Sequence, residues 1–108
     1  MRLLKNLVEK NNQVWIYCEN RDLQEKFLKQ AEDEGFLALN GQKPTELFRH
    51  QLYGINDDLT MGYLSAMIWS LTFQKCPDHI ARVDYGKYIS DEDDYMCHPR
   101  DNTKEKNV

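Results

Sequence analysis

Residues 89–98 read ISDEDDYMCH, with four consecutive acids, Asp91, Glu92, Asp93 and Asp94, directly before Tyr95, Cys97 and His98. Three chemistries could use such a run. Hard cations take oxygen ligands, but a calcium loop needs acids at alternate positions, a central glycine and a later glutamate. Four adjacent acids do not supply that spacing. Zinc would accept two thiolates and two imidazoles, and Cys76, His79, Cys97 and His98 offer that set. The obstacle is geometric, because neighbouring residues of an extended chain point opposite ways and Cys97 and His98 would need a special turn to share one ion. No paired Cys-x-x-Cys knuckle is present, so the expectation is no metal and no cofactor, with a zinc-stabilised structural module kept as a third reading of the chain. Two readings remain for the acids. One is a solvated loop held open by repulsion. The sharper one is a docking region, Asp91 to Asp94 with Tyr95 and Tyr88, that meets an Arg/Lys-rich surface.

Catalytic motifs are absent. Residues 40–46, NGQKPTE, lack the second glycine and the Gly-Lys-Ser/Thr run of a phosphate-cradling loop. There is no Gly-x-Ser-x-Gly elbow. Cys97 beside His98 in sequence says nothing about reach in space, which nucleophilic catalysis requires. The chain is therefore expected not to be an enzyme. Trp15, Tyr17, Phe36, Trp69 and Phe73 are expected in the core, where large rings dominate burial. In the alternative, some of them stack a base while Arg21, Lys43 or Arg49 meets a phosphate, making the chain a binder that sequesters a signalling nucleotide.

Charge narrows the partner class. Of 108 residues 30% are charged, and the net charge is −4. Residues 1–50 carry eight basic and eight acidic side chains, whereas residues 51–108 carry six and ten, so the excess lies wholly in the second half. That opposes direct nucleic-acid binding, which needs a basic stripe to displace counterions. It suits a protein partner with a basic surface. No apolar run is long enough to span a bilayer, and residues 1–12 lack the unbroken apolar stretch of a signal peptide. Three cysteines, at 18, 76 and 97, make a poor disulfide framework, which fits a cytoplasmic protein. Cys18, inside the run VWIYC, is expected as a small buried hydrophobe.

The elements that would position these residues form a single α/β (α+β) domain over 1–99, with a mixed sheet, flanking helices and a polar tail at 100–108. Leu3, Leu4, Leu7 and Val8 recur at helical spacing. VWIYC (14–18) reads as a central strand. Asn20 is placed to cap a helix over 21–34, with Leu23, Phe27 and Ala31 in a stripe and Gly35 as its left-handed stop. FLAL (36–39) reads as a second strand, parallel to the first across that helix. Thr45 could cap a short helix carrying Leu47, Phe48 and Leu52. His50 is expected at the surface. Residues 56–58 read as a turn. The most apolar stretch, 59–73, reads as a strand near 59–63 and then a helix over 64–74, in which Leu64, Met67, Ile68 and Leu71 share one face. Residues 80–89 read as a last strand or hairpin around Gly86.

Residues 14–46, with a strand, a charged helix ending in Glu-Gly-Phe and a Gly-x-x-Pro-Thr turn, resemble small uncharacterised proteins carried by phages and mobile elements of low-GC Gram-positive bacteria. The resemblance implies an accessory protein that acts by binding, such as an inhibitor of a bacterial host's defence nuclease. It carries no functional residues with it. A homo-oligomer is compatible with it.

Overall fold

The computed structural model describes residues 2–75 and 80–97, apart from the side chain of Phe73. Among these, ten segments follow one another: α1 (Leu4–Asn11), β1 (Gln13–Tyr17), α2 (Arg21–Asp33), β2 (Leu37–Ala38), a 3-10 turn (Pro44–Glu46), β3 (Leu52–Asn56), β4 (Thr60–Tyr63), α3 (Ala66–Lys75), β5 (Ala81–Asp84) and α4 (Tyr85–Ile89). The strands form one mixed sheet in the order β2-β4-β3-β1-β5. β1 is an interior strand, antiparallel to β3 and parallel to β5. The expected α/β domain with a mixed sheet and flanking helices is the observed fold.

Helix α2 starts and stops as its sequence dictates. Asn20 Oδ1 accepts from the Leu23 N–H at 2.9 Å. At the other end Gly35 has φ +95°, the Gly35 N–H reaches Glu32 O and the Phe36 N–H reaches Ala31 O. Those two bonds close a Schellman motif that only glycine enters without strain. The chain then enters β2, which runs parallel to β1 as expected. The two are not neighbours, because β3 and β4 lie between them.

The register assigns two faces. On one, Val14, Ile16, Tyr53, Ile55, Met61 and Val83 join buried residues of α1, α2 and α4 in the main core. On the other, Trp15, Leu52 and Trp69 make a second, smaller cluster. Both edges of the sheet are closed. The 95–97 segment pairs with β5 through Asp84 N–H to Tyr95 O and Cys97 N–H to Arg82 O. At β2 the turn at Gly41 folds back, so that the Ala38 N–H and C=O bond to Gln42 and Gly41. Blocking edges in this way leaves no row of free backbone groups for stray pairing.

Three expectations change here. Thr45 caps no helix: Pro44 and the Glu46 carboxylate, which accepts from the Lys43 N–H, close a single 3-10 turn, and Leu52 belongs to β3. No hairpin forms at Gly86. β5 runs straight into α4, capped by Asp84. Gly86 suits this junction: a Cβ there would stand 3.0 Å from Leu23 Cδ1 and push that side chain of α2 aside, so the bare glycine lets α4 pack close to α2. His50 is only half exposed, its Nε2 2.9 Å from Leu64 O and its ring edge-on to Tyr53 and Tyr63.

Candidate functional site

The acidic run lies on a turn that leaves the end of α4. The Ser90 N–H bonds to Gly86 O, and the Glu92 N–H reaches back to Lys87 O. Asp91 takes φ +62°, a conformation that aspartate tolerates better than most residues. All four side chains, Asp91 to Asp94, are exposed. The turn is held from beneath by Arg2. Its guanidinium donates to Glu92 O at 2.8 Å and to Tyr88 O at 3.4 Å, and pairs with the Asp91 carboxylate at 3.6 Å. It also lies 5.4 Å from the Tyr88 ring centroid and 5.0 Å from that of Tyr95. A cation so placed gains from both ring faces while fixing the loop backbone.

This arrangement sorts the expected site residues. Glu92 and Asp93 present carboxylates to solvent. Asp91 does so with part of its charge offset by Arg2. Asp94 is exposed but also accepts from the Met96 N–H at 3.2 Å, which shapes the exit of the turn. Tyr95 is half buried, packed on the main core and edge-on to Tyr88 at 4.8 Å. Tyr88 corrects the expectation. It is buried, its hydroxyl donates to Leu3 O at 2.6 Å, and it offers a partner no contact area. Burial pushes its phenol up to about 12, with the neighbouring Tyr95 adding to the shift and Arg2 opposing it. Its role is to tie α4 to the start of α1.

That tie belongs to a larger network. Helix α1 has no cap of its own, since Leu3 occupies the capping position. Glu34, at the end of α2, supplies the missing acceptors: its carboxylate takes the Leu4 and Lys5 N–H groups at 2.9 Å each. Gln30 bridges the same cluster, donating to Glu34 and to Arg2 O while accepting from the Tyr85 hydroxyl at 2.7 Å.

The other sequence candidates separate in space. Cys97 is half exposed and packs on the second cluster, while Cys76, His79 and His98 lie outside the described residues. Among the described residues no three His, Cys, Asp or Glu side chains are grouped to hold a metal. Cys18 is fully buried, as expected. Burial and then the nearby Asp84 charge push its thiol far up, so it stays protonated and unreactive. Arg21 and Arg49 both turn to Glu25, at 3.6 and 3.3 Å. Trp15 stacks on Trp69 at 6.0 Å on one face of the sheet, and Phe36 is buried in the core of the other. Trp15 and Phe36 therefore lie in separate clusters on opposite faces of the sheet.

A second surface escaped the sequence reading. Met67, Ile68 and Leu71, read from the sequence as sharing one helical face, point outward from α3, and among its described side chains Trp69 is the buried one. The signal was available as an uncharged run: residues 59–74 contain no Asp, Glu, Lys, Arg or His in a chain where 30% of residues are charged. No helix among the described residues is long and apolar enough to cross a membrane. Family models, curated proteins and solved structures yield no match to this chain.

Proposed function

We propose that this chain acts by binding another protein, one with a basic surface, through the acidic turn 91–94. The observation that carries the reading is a pre-organised turn: four successive acid side chains reach solvent from a backbone already fixed by Arg2 and by the end of α4. A loop ordered before contact loses less entropy on binding. Like charges gathered on one projection raise the encounter rate with an opposite surface. Tyr95 adds a half-buried ring at the base of the turn. The finer reading, a phage-encoded inhibitor of a host defence nuclease working in the bacterial cytoplasm, rests on the resemblance of residues 14–46 and on the charge asymmetry.

The test is affinity capture from bacterial lysate at low and high salt. It compares the wild type with a variant carrying Asp91→Asn, Glu92→Gln, Asp93→Asn and Asp94→Asn. The expected result is a captured protein whose association rate falls roughly tenfold or more in the variant and in high salt. A partner held equally by both forms, at both ionic strengths, rejects the acidic-surface reading.

A further inference from the structure

Among the described residues, the sheet face opposite the main core is only half covered. One register row crosses it as Arg82, Trp15, Gly54 and Gly62, with Leu39 alongside Gly62 at the β2 edge. Helix α3 lies over the Trp15 end, stacking Trp69 on the indole. Beyond it the two paired glycines floor a trough, which Trp15 and Leu64 partly fill over Gly54, whereas over Gly62 only Leu39, among the described residues, comes within 4 Å of a Cβ position. One wall of this trough is Leu64, 3.6 Å from where a Gly54 Cβ would sit. The other is Leu39, 3.9 Å from where a Gly62 Cβ would sit. Leu37 extends the second wall by the alternation of the strand. A ridge adjoins the trough: Met67, Ile68 and Leu71 follow one another at helical spacing along the outer side of α3.

We propose that a second copy of this chain covers this face, the α3 ridge of each copy seated in the glycine trough of the other. A two-fold dimer needs a surface that is complementary to itself, and a ridge beside a trough on one face meets that condition. Glycine floors let a helix approach the backbone closely. Charge selects the occupant. The molecule carries −4 overall, yet from Leu59 to Gln74 it carries no ionisable acid or base apart from the Tyr63 phenol, so two copies meet here without the repulsion their other surfaces would impose.

The area suffices. Leu37, Leu39, Met67, Ile68 and Leu71 are 46%, 77%, 72%, 52% and 48% exposed, together about three whole aliphatic side chains. At roughly 100 Å² of apolar surface for each whole side chain, two copies remove about 600 Å². With apolar atoms making up about 60% of an interface, the full contact reaches on the order of 1,000 Å², the lower bound for a specific one. A weak, reversible dimer follows.

Sedimentation velocity across a concentration series of the full chain reads this directly. The wild type is expected to shift from monomer to dimer in the micromolar range, in high salt as well as low. Gly62→Val is the informative variant, because a Cβ there meets only ordinary contacts inside one copy yet fills the trough. It should fold, by circular dichroism and thermal melting, and shift the association midpoint at least about tenfold upward. Ile68→Glu should do the same from the ridge side, and Phe48→Glu, exposed but off this face, should leave association unchanged. A wild type that stays monomeric at about 200 µM, a concentration that would populate even a weak dimer, overturns the proposal and leaves the face to a different protein. A dimer undisturbed by both Gly62→Val and Ile68→Glu overturns it as well. Neutralising residues 91–94 should not alter the dimer, so this result and that for the acidic turn are read independently.

Discussion

Arg2 makes contacts of three kinds, and its contribution depends on their geometry rather than on charge alone. Its guanidinium reaches two backbone carbonyls of the acidic turn, the Asp91 carboxylate and the faces of two tyrosine rings. A planar fork can serve these directions together, whereas an ammonium cannot. Arg2→Ala should therefore cost roughly 1–3 kcal/mol, the range for a hydrogen bond to a charged group with ring contacts added. Arg2→Lys should recover less than half of that. Urea unfolding of the two variants checks this, and equal stability of Lys and wild type would show that charge alone is enough. Part of this residue scale was legible from the chain. Cys18 in a β-branched run pointed to burial, and Asn20 pointed to a cap, because both follow from local chemistry. The role of Arg2 was not legible: the carbonyls it bonds lie 86 and 90 positions away, and no local pattern encodes a contact that the fold must first create.

At the scale of elements, the readable segments carry their own start and stop chemistry, and the misread ones borrow theirs. Helix α2 has Asn20 and Gly35 and was placed to within a residue. Helix α1 has no cap and depends on Glu34 from another helix. The 44–46 segment has Thr45, a good cap in isolation, but Glu32 claims it: the Glu32 carboxylate accepts from both the N–H and the hydroxyl of Thr45, clamping the 3-10 turn onto α2. Helix α3 lies close to where it is expected, but its buried face was not legible, since periodicity finds an apolar stripe without saying which side has a neighbour. The Glu32 clamp makes a measurable prediction. The Thr45 hydroxyl, and then its N–H, hold the carboxyl below its ordinary value. A depressed carboxylate pKa means that the unfolded chain takes up a proton first as pH falls. The clamp's stabilisation is thus complete above the ordinary glutamate value, about 4.3, and fades below it as pH falls through the folded value. Glu32→Gln should flatten that part of the acid stability curve, as should Thr45→Val, both read by urea midpoints between about pH 6 and pH 3. Curves that stay parallel to the wild type would show that the clamp carries no stability.

For the whole molecule, the main core sets three tyrosines among its aliphatics. Tyr53, Tyr85 and Tyr88 are buried in it, each with its hydroxyl donated inward, to Phe48 O, Gln30 Oε1 and Leu3 O. Desolvation, the largest cause at each of the three, pushes their phenols up; Tyr88 reaches about 12 and the other two go higher. These groups stay protonated when folded but ionise near 10 when unfolded, so above pH 10 the unfolded chain releases protons that the folded one keeps. Stability is then full below pH 10 and lost as pH rises, by up to about 1.4 kcal/mol per pH unit for each tyrosine that remains protonated in the fold. Three such groups make the alkaline slope steep, at roughly 4 kcal/mol per unit. The phenylalanine variants separate the contributions. Tyr85→Phe and Tyr88→Phe should each lose about 1 kcal/mol at neutral pH, where a hydrogen bond disappears, and should each show a shallower fall between about pH 10 and pH 11.5. Urea midpoints across that range give both quantities at once. Slopes unchanged from the wild type would mean that the rings ionise in place, and that the core which positions the acidic turn tolerates buried phenolate.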